Sequence, residues 1–367
     1  MNILFLTYQG GIAGSTFSVS YLTKGLAEKG HNVFLGCKPN SRYPELLKKS
    51  KVKIRYLPFE SKFDINSIRM IRDIVRENDI EIINSQASKD RYLSIWANKL
   101  FNLKCKIVHT RRQKPNSSGK FLQGLFYSWG TDKIVAVSQG VKKNIIDSMG
   151  INENHIRVIH NGTPKEKYEK VFDLDIGDLK NKFDISNDEF IIGCVSRKKQ
   201  QEQLIKALNH IKSQKLKVIF VGIKRKEIDI EEKDFPKIHE IIFTGGRIDP
   251  QETLRYYRLF DIHVLPSITE GLSQTLLESM FMNVPVIATN AAGNPDLIKH
   301  NETGLLFENE NSKGLAEEIT KLITNRALYE KLRKLAKEKV LQEFSIDRVV
   351  ENYEAFFQGL VSDSPRD

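Results

Sequence analysis

Residues 261–290 read "DIHVLPSITEGLSQTLLESMFMNVPVIATN". "DIHVL" is a short apolar run that Pro266 ends, because proline has no N–H to give to a strand ladder. "TLLESMF" carries apolar residues at helical spacing and stops at Asn283. "VPVIATN" then opens a fresh apolar run. Two short buried strands joined through a helix imply a parallel sheet. The same stretch holds two acids, Glu270 and Glu278, eight residues apart. On one helix that spacing is a turn of about 80°, so the acids would not share a face. Glu270, however, precedes the helix and hangs over its start, while Glu278 points inward from about the second turn. Gly271 to Gln274 are the candidates for the helix start, with free backbone N–H groups between the acids.

The rest of the chain keeps this rhythm. "NILFLTY", "HNVFLGC", "IEIINSQ", "CKIVHT", "KIVAVS" and "IRVIHNG" alternate with helical runs in the first half. "EFIIGCVSR", "LKVIFVG", "EIIFTGG", "DIHVLPS", "VPVIATN" and "TGLLFE" do so in the second. Short apolar strands between amphipathic helices argue for parallel sheets covered on both faces. The charged stretch 163–187 breaks the alternation after an Asn-Gly turn, so a linker is expected near 164–186. The expected domains are Rossmann-like units over 1–165 and 166–344. The chain is helical from about 312, and its last helix, about 345–362, is expected to pack back on the first domain.

A length of 367 residues suits two domains of ordinary size. With 40% hydrophobic and 28% charged residues, a wholly disordered chain is excluded. Cys37, Cys105 and Cys194 lie in or beside apolar runs, form no C-x-x-C, and read as reduced core thiols. "MNILFLTYQGG" lacks the basic region and cleavage site of a signal peptide and reads as a first strand. No apolar run reaches the length of a transmembrane helix. A cytoplasmic protein is expected, touching a membrane only peripherally from the inner face. The net charge of +11 fits lysine-rich solvated helices, or attraction to anionic lipid or phosphorylated substrates. No interleaved base-stacking motif points to nucleic acid.

Parallel sheets take ligands at the carboxyl ends of their strands. After the first strand comes "QGGIAGST", with Gly10, Gly11 and Gly14, and Ser15 or Thr16 as a helix cap. This is either a tight turn or a phosphate- or sugar-contacting loop, and it matches neither the dinucleotide fingerprint nor the P-loop. After "IIGCVS" come Arg197, Lys198 and Lys199, either a solvated basic turn or a clamp for an anion. Carboxylates that read hydroxyls on both sides of an anion-reading helix end suit a nucleoside diphosphate sugar: sugar hydroxyls, two phosphates, then ribose hydroxyls.

These residues resemble a known family. "EGLSQTLLESM" is similar to the E-x7-E signature of the retaining GT-B glycosyltransferases of family 4. The resemblance covers nearly the whole chain, through "GG" after the first strand, "KGHNVFL", "KIVAVSQGVKKNI", "IRVIHNG", "FTGGRIDPQETLRYYRLFDIHVLPS" and "NETGLLFE". It implies a GT-B fold, two Rossmann-like parallel-sheet domains facing across a cleft. It implies that Glu270 binds donor sugar hydroxyls, with backbone contacts from Gly271, Leu272 and Ser273, and that Glu278 holds the ribose. Arg197 and a following lysine would neutralise the diphosphate, and Gly11 would approach the phosphate from the other domain. His109 falls in the region of a family histidine near the reacting sugar, though "VHTRRQ" also allows Arg111 or Arg112 at that position, and a core or cap histidine is the other reading. "RKKQQEQLI" is about three residues shorter than the family pattern and lacks its glycine, so Lys198 and Lys199 both remain candidates for the family lysine.

The implied reaction moves a hexose-type sugar from a UDP- or GDP-linked donor to a glycan or lipid-linked acceptor, with retention, in envelope polysaccharide or glycolipid synthesis. Glu270, His109 and Arg197 are the catalytic candidates. No cofactor or essential metal is expected, and "DLD" (Asp173, Asp175) reads as a solvated acidic run in the linker. Residues 111–129, "RRQKPNSSGKFLQGLFYSW", join a basic loop to an aromatic helix on which Phe121, Leu122, Leu125, Phe126 and Trp129 share a face. That piece, with Arg111, Arg112, Lys114 and Lys120, reads either as acceptor or anionic-membrane contact or as plain core packing. A sugar-nucleotide epimerase of the same fold and an inactive sugar- or nucleotide-binding protein are the alternative readings.

Overall fold

A computed structural model describes residues 1–112, 120–246 and 248–362. The chain divides into two compact units: Met1–Pro164 with Ser345–Asp367, and Lys165–Phe344.

The first unit is built on seven parallel strands: β1 Asn2–Thr7, β2 Asn32–Cys37, β3 Lys53–Tyr56, β4 Ile82–Ser85, β5 Lys106–Arg111, β6 Lys133–Ala136 and β7 Ile156–Val158. Their order is β3-β2-β1-β4-β5-β6-β7. Ile3, Phe5, Val33, Leu35, Ile82, Val108 and Val135 form the sheet's share of a core that helices cover. The chain's last described helix, Ile346–Ser362, belongs to this unit. Tyr353 and Phe357 enter the core from it, and Phe357 sits edge-on to Phe5 at 6.4 Å between ring centroids.

The second unit has six parallel strands: β8 Ile191–Val195, β9 Lys217–Val221, β10 Glu240–Phe243, β11 Ile262–Leu265, β12 Val286–Thr289 and β13 Leu305–Phe307. The order β10-β9-β8-β11-β12-β13 reverses between β8 and β11, as it does between β1 and β4 in the first unit. Both are Rossmann-like sheets, and such a reversal opens a crevice at the carboxyl strand ends. Close packing fixes the sheet interior: a Cβ on Gly193 of β8 would lie 2.1 Å from Phe260.

The stretch read as a linker is folded. Residues Glu166–Phe172 and Gly177–Lys182 are short helices of the second unit. Tyr168 stacks on Phe281 with centroids 4.6 Å apart, which pins the first of these helices to the helix Gln274–Phe281. Asp173 and Asp175 are exposed, and an oxygen of Asp175 accepts from the Gly177 N–H at 2.9 Å. The helix after β1 starts at Gly14 with Ala13 as its N-cap residue, so Ser15 and Thr16 are not its cap. Thr16 instead donates from its hydroxyl to the Gly11 carbonyl at 2.7 Å. The three cysteines are free and buried, and burial lifts the Cys105 and Cys194 thiols to about 12.

Candidate functional site

In the second unit the site is assembled at the reversal between β8 and β11. Ser273 caps the helix Gln274–Phe281, its hydroxyl accepting from the Leu276 N–H at 3.3 Å. The helix therefore starts just past Gly271 and Leu272, and its N-terminal N–H groups face the loop that carries Glu270. Glu278 is the fifth residue of the helix and is buried. The two acids thus stand on either side of one helix end.

Each acid already has a cation. Lys199 Nζ lies 3.2 Å from Glu270 Oε1 and 3.1 Å from the Thr269 hydroxyl. Arg197 and Lys198 are exposed on the same turn. Gln201, fully buried, shapes that turn: its oxygen accepts from the Lys199 N–H at 2.7 Å. Its amide donates to the Ser196 hydroxyl and the Arg197 carbonyl, both at 2.7 Å. Gln200 between them holds φ at 65°, a left-handed geometry that costs a side-chain-bearing residue about 1–2 kcal/mol. The second acid, Glu278, pairs with Lys167 at 2.8 Å. The Tyr257 hydroxyl lies 3.3 Å from its other oxygen and 3.1 Å from the Thr275 carbonyl. Burial, and then Glu278, hold Tyr257 well above the ordinary phenol range, so it is a neutral donor. The loop after β12 supports the site from behind. Ala292 holds φ at 55°, and the next residue, Gly293, donates its N–H to the Glu270 carbonyl at 3.2 Å.

Lys167, Gln201 and Tyr257 were not anticipated. Lys167 is 111 residues from Glu278 in sequence, in a stretch whose charge reads as solvated, so spacing gave no sign of it.

In the first unit, a Cβ on Gly10 would lie 2.3 Å from the Ser41 Cβ, so packing accounts for that glycine. Gly11 is exposed, and a Cβ there would meet nothing within 4 Å. His109 is placed differently from the expectation. Its ring is wholly buried, edge-on to Tyr127 at 5.0 Å, with Nε2 3.4 Å from the Ser94 hydroxyl. Burial, then Arg91 and Arg111, hold it well below the usual histidine range, and the ring is neutral. It reaches no open surface of its unit. The strand end beyond it does: Arg111 is buried, whereas Arg112 is half-buried and donates to the Gln86 side-chain oxygen. Lys114 lies outside the described residues, as does the side chain of Lys120.

The helix Lys120–Gly130 rests directly on backbone, since a Cβ on Gly124 would lie 1.9 Å from the Met149 carbonyl oxygen. Phe126 turns partly inward and stacks on Tyr92 at 5.1 Å. Phe121, Leu122, Leu125 and Trp129 are exposed, so plain core packing does not account for this face. No described helix is long and apolar enough to cross a membrane.

Comparison with known proteins accounts for both units. The family described as Glycosyltransferase Family 4 matches residues 12–167, and that described as Glycosyl transferases group 1 matches residues 175–339. The capsular polysaccharide biosynthesis glycosyltransferase CapM of Staphylococcus aureus is 29% identical over 240 residues, which are 63% of this chain and 62% of that relative's length. The N-acetyl-alpha-D-glucosaminyl L-malate synthase of Bacillus anthracis is 23% identical over 379 residues, covering 98% of this chain and 97% of the relative. The crystal structure of Anabaena HepE in complex with UDP and glucose matches with a TM-score of 0.76 at 20% identity, over 98% of this chain and 100% of that one. Two Rossmann-like sheets with these strand ends define an enzyme of the GT-B fold that transfers sugars. The chain belongs to the family 4 glycosyltransferases. That membership leaves the epimerase reading without support.

Proposed function

We propose that this enzyme transfers a hexose-type sugar, with retention, from a UDP- or GDP-linked donor to a glycan or lipid-linked acceptor of envelope polysaccharide or glycolipid synthesis. One observation carries the reading. The capped helix end at Ser273 lies between Glu270, at the open loop, and Glu278, in the buried second turn. In this reading Glu270 takes the sugar hydroxyls, Glu278 the ribose hydroxyls, and the N–H groups of Gly271, Leu272 and Ser273 the phosphates between them. HepE, whose structure holds UDP and glucose, and CapM, named for capsular polysaccharide synthesis, support the donor and acceptor classes.

The chemistry follows from charge. The bond from the anomeric carbon to the phosphate oxygen breaks, leaving cationic character on the sugar and a growing negative charge on the diphosphate. Arg197, Lys199 and the helix N–H groups stabilise the departing diphosphate in place, without reorganising as it leaves. The acceptor hydroxyl attacks the same face, and its proton passes to the leaving phosphate oxygen. Lys199 takes the role of the second cation, because it meets Glu270, whereas Lys198 is exposed. His109 acts as a buried support of the β5 end and not as a group touching sugar.

The test is a thermal-shift and turnover panel of nucleotide sugars, reading released UDP or GDP. Glu278→Ala should weaken nucleotide binding. Glu270→Ala should lower turnover far more than it weakens UDP or GDP binding. Equal loss of nucleotide affinity in both variants would refute this division of labour.

A further inference from the structure

Three arginines of the first unit meet at the ends of β4 and β5: Arg91, in the first turn of the helix Ser88–Phe101, then Arg111 and Arg112. Gln86 ties two of them together. Its backbone carbonyl accepts from Arg91 Nη2 at 2.8 Å, and its side-chain oxygen accepts from Arg112. Arg91 also donates to the Thr110 carbonyl at 2.7 Å, which sets it beside Arg111. Arg91 is 8% exposed and Arg111 6%.

These guanidiniums have donors to spare. Arg91 Nε, Arg111 Nε and Nη1, and Arg112 Nε are buried and have no hydrogen-bond partner among the described residues, and neither has the side-chain nitrogen of Asn84 beside them. None of the three arginines is ion-paired among the described residues. The buried acid of the cluster, Asp90, is committed elsewhere. Its carboxylate accepts from the N–H groups of Gln86 at 2.7 Å, Ala87 at 2.8 Å and Tyr8 at 3.3 Å. Three guanidiniums against this one carboxylate leave an excess of two positive charges. Burying unpaired charge costs several kcal/mol per ion, so such a cluster needs an anion. Burial, and then the neighbouring charge of Arg91, already pull Arg111 down to about 10.

The cluster stands where ligands enter parallel sheets, at the carboxyl ends of β4 and β5, next to the β1–β4 reversal. Its half-buried member is Arg112. A single carboxylate would satisfy one guanidinium fork. Several converging guanidiniums suit a group with more charge and more acceptor oxygens.

We infer that Arg91, Arg111 and Arg112 form a phosphate-binding subsite of the first unit that holds a phosphoryl or diphosphoryl group of the acceptor. The inference rests on the reading that the first unit receives the acceptor. Pyrophosphate binding to the full-length enzyme, followed by calorimetry in saturating UDP or GDP, tests it. The nucleotide occupies the second unit, so what remains reports the first. Wild type should still bind pyrophosphate, and Arg112→Gln and Arg111→Gln should each weaken that binding at least about tenfold by removing a charge-assisted pair. Nucleotide affinity unchanged within about twofold would show that each variant is folded. Arg197→Ala should leave this binding intact. Pyrophosphate binding that nucleotide abolishes, or that survives both arginine variants, overturns the subsite. If neither nucleotide binds, the donor reading has failed instead, and the same arginine variants are compared without nucleotide in an Arg197→Ala background. Two further arms assign the source of the phosphate: a soluble sugar phosphate and a polyprenyl diphosphate in detergent micelles. Arginine-dependent binding in either arm supports the subsite, and its absence from both overturns it.

Discussion

Lys199 pairs with Glu270 and Lys167 with Glu278. On the proposed division of labour, a ligand hydroxyl at either acid would share an oxygen with a lysine or displace it, and these two lysines would tune donor binding as directly as the acids. Lys199→Met should lower turnover by about 100-fold, the usual scale for losing one charge-stabilising donor. Its cost to nucleotide affinity should be much smaller, and titration with UDP and GDP checks this. Lys167→Met leaves Glu278 buried without its cation and should destabilise the second unit by about 1–3 kcal/mol, read by urea denaturation. The acids themselves were legible in sequence, because eight residues across a loop and a helix start form a pattern. Their partners were not, because each comes from a distant segment or depends on how a shortened loop turns.

Two buried histidines set a pH dependence at the same scale. His263 is fully buried, with Nε2 accepting from the Val195 N–H at 3.2 Å, and burial pulls it down to about 3. His109 is shifted in the same direction. Each folded pKa lies below the unfolded one, so their stabilising share is complete above about pH 6.5 and is lost as pH falls. The unfolded chain then takes up protons that the folded rings refuse. Stability should fall by roughly 1.4 kcal/mol per pH unit per histidine below about pH 6. Denaturation midpoints between pH 7.5 and 5 test the slope. His263→Gln, which keeps an acceptor for Val195, should flatten it in the second unit.

The helix Lys120–Gly130 leaves Phe121, Leu122, Leu125 and Trp129 exposed. Lys99 Nζ lies 4.7 Å over the Trp129 ring, so a cation borders the apolar face. An anionic bilayer would satisfy both the ring and the lysine, and each large apolar side chain fully buried there would contribute about 1.5–3 kcal/mol. Leu122→Glu with Leu125→Glu should abolish co-sedimentation with phosphatidylglycerol vesicles while leaving nucleotide binding intact. Sedimentation unchanged by the double substitution would remove the membrane from the reading. The sequence showed this helix as amphipathic and left core packing and membrane contact open; Phe126 takes part in packing, because its stacking on Tyr92 depends on a neighbouring helix. Among strands, β3 went unread because "KIRY", although it alternates charged and apolar residues, is only 4 residues long and half charged, as suits the edge of a sheet.

Across the molecule, the alternation of short apolar strands with helices sufficed to read both Rossmann-like sheets. It did not suffice for residues 164–186, because helices of seven and six residues carry too few apolar positions to show a period. Tyr168 and Val171 are nevertheless buried there, and the stretch is a working part of the second unit.

Thr163 and Ser345 pair as a β-bridge, and the Ile346 N–H donates to the Thr163 carbonyl at 3.0 Å. The chain therefore leaves the first unit and comes back to it at adjacent points, with the whole of Lys165–Phe344 looped out between them. On a ribosome, the looped-out unit is complete before the helix that finishes the first core has been made, so the second unit should fold first and the first should wait for Tyr353 and Phe357. The same geometry makes the insert a cassette. Joining Pro164 to Ser345 by a short glycine-serine tether should yield a folded first unit, and grafting a relative's insert at that seam should exchange the sugar delivered while keeping the acceptor.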